Sequence, residues 1–203
     1  MKVFTISFDD GNPNDEKAAE IMIRYGIRGT FYPNYYRLYP FHKKIHKRLE
    51  VGSHGTTHED LRKVELPKLR QIISRKPFED FLEKKISMFA APWGYYNDQV
   101  IASIREEGYQ GIRTTNSDPA YRLPQNWKMD ISWLAGEIPS FFEFKEKFDI
   151  FLNSDGKLFH LATHVAGIFD FSDFEKICQY IRESSVKTMT DSEIIELGKE
   201  EKR

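Results

Sequence analysis

Several things are scarce in this 203-residue chain, and each scarcity removes a class of protein. A single cysteine, Cys178, rules out an internal disulfide framework and any zinc site built from several thiolates. Neither charge sign dominates: 30 Lys and Arg stand against 31 Asp and Glu, a formal net charge of −1. That balance argues against a disordered chain and removes the global electrostatic case for nucleic-acid binding. No uncharged run approaches the roughly 18 residues of a membrane span. Met1 to Asp10 is apolar for too few residues before its two acids to form a signal-peptide core, so a soluble, cytoplasmic protein is expected. Repeats, low-complexity tracts and linker-like stretches are absent too, and the reading is one domain over residues 1–203.

What the chain does have is apolar and aromatic material. Hydrophobic residues make up 40%, enough for a substantial core, and 16 Phe, 10 Tyr and 3 Trp bring the aromatic share to 14%. Those rings suit two ends, a Phe-rich core or a groove lined with flat faces for sugars, bases or lipids. Composition does not separate them.

Short β-branched or aromatic runs alternate with amphipathic stretches. Strands are expected at 3–8, 30–33, near Val51, and at 86–91, 111–114, 127–132, 157–163 and 186–189. Helices are expected at 15–25, 41–49, 66–84 with Pro77 breaking the last, 97–107, 141–152, 173–183 and 191–200. About eight β/α alternations with short links favour a parallel sheet covered by helices. The chain is short for a full eightfold barrel, which typically takes about 250 residues, so a shortened or distorted barrel fits better.

In such folds functional side chains gather at the C-terminal ends of the strands. Asp9-Asp10-Gly11 ends the first strand. His54-Gly55-Thr56-Thr57-His58 follows the third, Pro92-Trp93-Gly94 the fourth, and His164 closes a late apolar strand before the small-residue turn Val165-Ala166-Gly167. Adjacent carboxylates such as Asp9 and Asp10 repel unless a cation or proton intervenes, although an Asp-Asp-Gly turn in solvent is also common. Four residues apart on a helical turn, His54 and His58 could share one metal, and Asp10 would complete a two-His-one-carboxylate set. His42 and His46 repeat the spacing among Lys43, Lys44, Lys47 and Arg48, and there the reading is a solvated basic face. Strand alternation puts His160 and His164 on one side, with His160 expected as a core histidine and Cys178 as a small core residue.

The order Ser7-Phe8-Asp9-Asp10-Gly11, His54-Gly55-Thr56-Thr57-His58, Phe89-Ala90-Ala91-Pro92-Trp93-Gly94 and then His164 resembles the polysaccharide deacetylase family, the NodB-homology domain of carbohydrate esterase family 4. The likeness runs from residue 5 to about residue 195, and its first two motifs lie about 45 residues apart. It implies an α/β fold, a distorted (β/α) barrel of about seven parallel strands, and metal-dependent removal of acetyl from an N-acetylated sugar or oligosaccharide. By position it implies Asp9 as catalytic base, Asp10, His54 and His58 as ligands of a divalent metal, and His164 as general acid. Zn²⁺ is the first choice of metal, with Co²⁺, Ni²⁺ or Mn²⁺ as alternatives. Trp93 would offer its backbone N–H to the oxyanion beside Pro92, and Trp133 would form a wall near the acetyl methyl. Tyr95, with Tyr96, Tyr35 and Tyr36, belongs to the rings placed to stack on sugar.

Two positions depart from the family pattern. Ala90 stands where an arginine usually holds the catalytic Asp, leaving Asp9 to depend more on metal and burial. Gly55 stands where Ser or Thr is usual, so Thr56 or Thr57 would have to steady the loop. Two other functions remain open beside the sugar deacetylase: an amidase using the same site on a small non-sugar amide, and a metal-bearing carbohydrate-binding protein without turnover.

Overall fold

The computed structural model describes residues 1–165 and 170–201. Its central strand, β1 (Val3–Asp10), shows how alternation builds the fold. Phe4, Ile6 and Phe8 point to one side. Phe4 packs against Phe144, Phe148 and Phe159, and Phe8 against Phe31 and Phe174. These contacts form the layer between strands and helices, where each fully buried large side chain contributes about 2–3 kcal/mol. Val3, Thr5, Ser7 and Asp9 point the other way, into the barrel. Val3 joins a second apolar cluster with Tyr32, Met88, Ala90, Met129, Leu158 and Ile195. Thr5 bonds Asp191, Ser7 bonds His160, and Asp9 pairs with Arg113.

Every strand pairing is parallel. β2 (Thr30–Pro33), β3 (Glu50–Val51), β7 (Trp133–Leu134) and β8 (Leu158–Thr163) join β1 in the order β3-β2-β1-β8-β7, and β9 (Lys187–Thr188) pairs with the start of β1. β4 (Met88–Ala90), β5 (Gly111–Ser117) and β6 (Lys128–Ile131) form a second sheet. A bridge from Ser53 to Phe89 links the two on one side. On the other, the run through β6 and β7 pairs with β5 at its start and with β8 at its end. The result is a distorted ring of seven strand positions, with β6 and β7 sharing one, as expected from the sequence.

The helices are α1 (Asp15–Tyr25), α2 (Pro40–Ile45), α3 (Leu66–Ile73), α4 (Lys76–Leu82), α5 (Asp98–Glu106), α6 (Phe141–Asn153), α7 (Ser172–Glu183) and α8 (Asp191–Glu200). The expected 66–84 helix is two helices. The chain turns at Ser74 and Arg75, and Pro77 lies in the first turn of α4, where its missing N–H costs nothing. Ser140 and Glu143 reciprocally cap α6, as Thr190 and Glu193 cap α8.

One expectation is overturned here. His42 and His46 are not a solvated face: both are buried. Phe41, His42, Ile45 and His46 form the inward stripe of α2 and its C-cap, while Lys43, Lys44, Lys47 and Arg48 point out. The His42 ring stacks on Phe41 at 4.0 Å, and burial lowers its pKa to about 3. Cys178 and His160 are core residues as expected. Among the described residues, no helix is long and apolar enough to cross a membrane.

Candidate metal centre and active site

The last residue of β1 and the next both take left-handed backbone conformations, Asp10 at φ 73° and Gly11 at φ 73°. A Cβ on Gly11 would lie 2.7 Å from the Pro33 Cβ and 2.9 Å from the Arg37 carbonyl oxygen, so only glycine fits this turn. The bend swings the Asp10 carboxylate to the strand-end rim while Asp9 stays on the inner face. Two adjacent acids that alternate along a strand thereby serve one site.

Residues 54–58 are a bent loop, not the helical turn the spacing suggested. Gly55 lies at φ 80°, and its N–H donates to the Ser53 hydroxyl at 3.0 Å. The positive φ accounts for glycine here, and Ser53 supplies much of the steadying expected of Thr56 or Thr57. Thr56 N–H does reach the Ile72 carbonyl, and Thr57 Oγ1 donates to Glu59. The loop sets the His54 and His58 rings 5.1 Å apart.

His54 Nε2 lies 3.5 Å and His58 Nε2 3.2 Å from Asp10 Oδ1. Candidate ligand atoms on the three residues all fall within 4.8 Å of one another. His54 Nδ1 donates to the Ala90 carbonyl at 2.9 Å, so in the neutral ring the Nε2 lone pair faces Asp10. Burial holds His54 down at about 4, which favours that neutral, ligating form. Bonding from His58, opposed by burial and aided by the charges of His54 and His58, holds Asp10 at about 2. Asp10 Oδ1 is buried, and apart from the approach of the two imidazole nitrogens no hydrogen bond of regular geometry ends on it among the described residues. An orphaned carboxylate oxygen facing two imidazole nitrogens fits a divalent cation, and three protein ligands leave further coordination positions open.

Asp9 is buried beside this set. It forms an ion pair and a hydrogen bond through Oδ1 with Arg113 of β5. Burial pushes the Asp9 carboxyl up, but the charges of Arg113 and His54 and the Arg113 hydrogen bond bring it below its ordinary value. The expectation that Asp9 lacks a cation, drawn from Ala90, is therefore corrected: the arginine comes from the neighbouring strand. The signal was in the sequence. Arg113 sits between Ile112 and Thr114 in a buried strand, and a charge there requires a partner.

His164, immediately after β8, places Nε2 3.9 Å from Asp10 Oδ2. Its Nδ1 donates to the Gly136 carbonyl at 3.0 Å, directing Nε2 into the site. Of the small-residue turn expected after it, Ala166 and Gly167 lie outside the described residues. Pro92 is buried, and Trp93 sits at φ 59° with its ring 4.6 Å from that of His58, edge to face. The Trp93 N–H lies at the open start of a single helical turn and has no acceptor within it.

The other rings divide. Trp93 is 62% and Tyr36 77% exposed. Tyr95 carries the Arg62 guanidinium 3.9 Å over its ring, so one face is taken. Tyr96 accepts from Asn116 Nδ2 through its hydroxyl. Trp133 is not brought to the Asp–His cluster. Its register partner on β8 is Leu161, and Lys147 of α6 lies 5.1 Å over its ring, which puts it on the helix-facing side.

Fold and site together define a parallel (β/α)-barrel protein with an Asp–His–His cluster at the strand ends that could hold a cation. The polysaccharide deacetylase family model matches residues 1–112, and the chain belongs to that family. A peptidoglycan-N-acetylglucosamine deacetylase of Bacillus cereus is 28% identical over 118 residues, covering 55% of this chain and 55% of that protein. The chain thus matches about half the length of that relative. A crystal structure described as a putative polysaccharide deacetylase from Mycobacterium smegmatis aligns with TM-score 0.75 at 16% identity, covering 98% of this chain and 91% of that one. A structure from Bacillus anthracis described as a family pseudoenzyme aligns with TM-score 0.65 at 14% identity, covering 96% and 66%. The fold is therefore shared with proteins described as a putative deacetylase and as a pseudoenzyme.

Proposed function

We propose that the protein is a metal-dependent hydrolase that removes N-acetyl groups from an N-acetylated sugar of a polysaccharide or oligosaccharide. One observation carries this reading: ligand atoms of Asp10, His54 and His58 converge within 4.8 Å of one another, with Asp9 next to Asp10 in the chain and His164 Nε2 3.9 Å from Asp10 Oδ2. Membership of the deacetylase family supports the substrate class. Asp10, His54 and His58 would hold the cation, and two imidazoles with one carboxylate suit Zn²⁺ first. When bound, a divalent ion supplies Lewis acidity, polarising the acetamide carbonyl and making water more acidic.

The chain's own residues do the rest. Asp9 accepts the proton of the attacking water through its carboxylate. The Trp93 N–H is a donor for the developing oxyanion, a contact worth about 3 kcal/mol when well placed. His164 gives its Nε2 proton to the departing amine, which leaves poorly without one. The Gly136 carbonyl keeps the other ring nitrogen protonated, so Nε2 is the atom that cycles.

Acetate release from N-acetylglucosamine oligomers, measured beside a panel of simple amides, tests this. The expected result is release from the oligomers that stops on chelation and returns with Zn²⁺ or Co²⁺. Turnover of simple amides alone would favour the small-amide reading. The non-catalytic reading draws support from the shared pseudoenzyme fold. It predicts sugar binding without acetate release from fully metal-loaded protein.

A further inference from the structure

We infer that Arg113 is the positioning residue for Asp9, doing from β5 what the usual family arginine would do from the position of Ala90 on β4. The inference rests on Asp9 being the base proposed above.

Three observations lead to it. Arg113 is among the largest fully buried side chains, and among the described residues Asp9 is its sole hydrogen-bond acceptor, with Nε and Nη1 buried without partners there. A guanidinium removed from water with one bonded anion has its place determined by that anion, and the reverse holds too. Second, the bond engages Asp9 Oδ1, and among the described residues no hydrogen bond occupies Oδ2, the oxygen available to receive a proton. Fixing one oxygen stops the carboxylate rotating and sets where the other lies relative to Asp10, the next residue. Third, Ala90 and Arg113 are register partners on adjacent parallel strands, and both are buried. Register partners in a parallel pair face the same side. The methyl of Ala90 leaves the space beside Asp9 to the Arg113 side chain, which the Tyr32 ring flanks with its centroid 5.4 Å from the guanidinium carbon. Ala90 contributes its carbonyl to His54, so position 90 serves the metal ligand through its backbone while position 113 serves the base through its side chain.

The test begins with metal-loaded wild-type protein that releases acetate from N-acetylglucosamine oligomers. If the wild type does not turn over, the functional reading has failed and the Arg113 assignment falls with it. With an active wild type, Arg113→Ala and Arg113→Lys are compared for kcat, KM, bound metal and thermal melting. The expected result for Arg113→Ala is a kcat about 10²-fold lower, in the range of a misplaced general base, with KM within about threefold and metal content unchanged. Added guanidinium at millimolar concentration, below any effect on melting, should recover part of kcat in Arg113→Ala and none in wild type. Ala90→Arg in the Arg113→Ala background should recover kcat by about tenfold or more, because it returns the cation from the register-paired position. Near-wild-type kcat in Arg113→Ala would overturn the inference. So would a loss that tracks metal content or melting temperature and responds neither to guanidinium nor to Ala90→Arg, since Arg113 would then only support the fold.

Discussion

Two pairs of histidines in this chain share the same i, i+4 spacing and have opposite fates. His42 Nδ1 accepts from the Tyr39 N–H at 3.0 Å, and His46 Nδ1 accepts from the Val51 N–H at 3.2 Å. Each neutral ring must then carry its proton on Nε2, which turns its second nitrogen into a donor with no lone pair for a metal. His54 is wired the other way: Nδ1 donates to a carbonyl, and the lone pair on Nε2 faces a carboxylate. Spacing brings two imidazoles together. What the far nitrogen bonds, and which charge lies opposite, decides whether they can hold a cation.

The largest contrast between the pairs should appear in activity. Asp10→Asn and His54→Gln should lose metal and turnover together, whereas His42→Gln should retain most of both. Equal losses from the two sets, assayed as acetate release with metal content measured alongside, would erase the distinction. Next in size are Asp9→Asn and His164→Gln, which touch the proposed chemistry but not the cation. Each should keep metal and lose roughly 10²- to 10⁴-fold in rate.

Stability against pH extends the comparison to the buried polar groups away from the site. Burial, against hydrogen bonds from Ser192 and Thr30, pushes Glu50 up to about 7 from an ordinary 4.5. The folded state therefore binds a proton that the unfolded state releases. Its contribution is fully present below about pH 4.5 and is lost as pH rises to about 7, a change of about 3 kcal/mol. Glu50→Gln, which keeps an acceptor for Thr30, should remove that slope in denaturant titrations. His42 works in the opposite sense. Its folded pKa of about 3 lies below the unfolded 6.5, so stability is present above pH 6.5 and falls as the solution is acidified. Between pH 6.5 and 5 this amounts to about 2 kcal/mol, and His42→Gln should flatten it whether or not Zn²⁺ is present. An unchanged slope would mean that His42 is not the buried neutral ring described.

Much of this was legible in the sequence. Alternation in Val3 to Asp10 and the 3.6-residue stripes of α1 and α8 stated their own faces, and the strand-end rule led to Asp9, Asp10, His54, His58 and His164. Misreadings came where local composition and fold disagreed. The basic neighbours of His42 and His46 suggested solvent, although Phe41 and Ile45 at helical spacing marked the buried stripe that contains both histidines. The family resemblance implies a wall near the acetyl methyl at Trp133, but β7 is two residues long and its register, set by β8, turns that ring toward α6. Arg113 lies outside the motif, whose usual arginine falls at the position of Ala90. Neighbouring strands of a parallel sheet can supply the same charge from residues more than twenty positions apart.

The most direct test of the cation site is a calorimetric titration of Zn²⁺ into metal-stripped protein, with wild type, Asp10→Ala/His54→Ala and His42→Gln/His46→Gln compared. Wild type and the His42/His46 variant should each bind one equivalent, and the Asp10/His54 variant none. Stoichiometric binding that survives loss of Asp10 and His54, or disappears with His42 and His46, would contradict the assignment of that site.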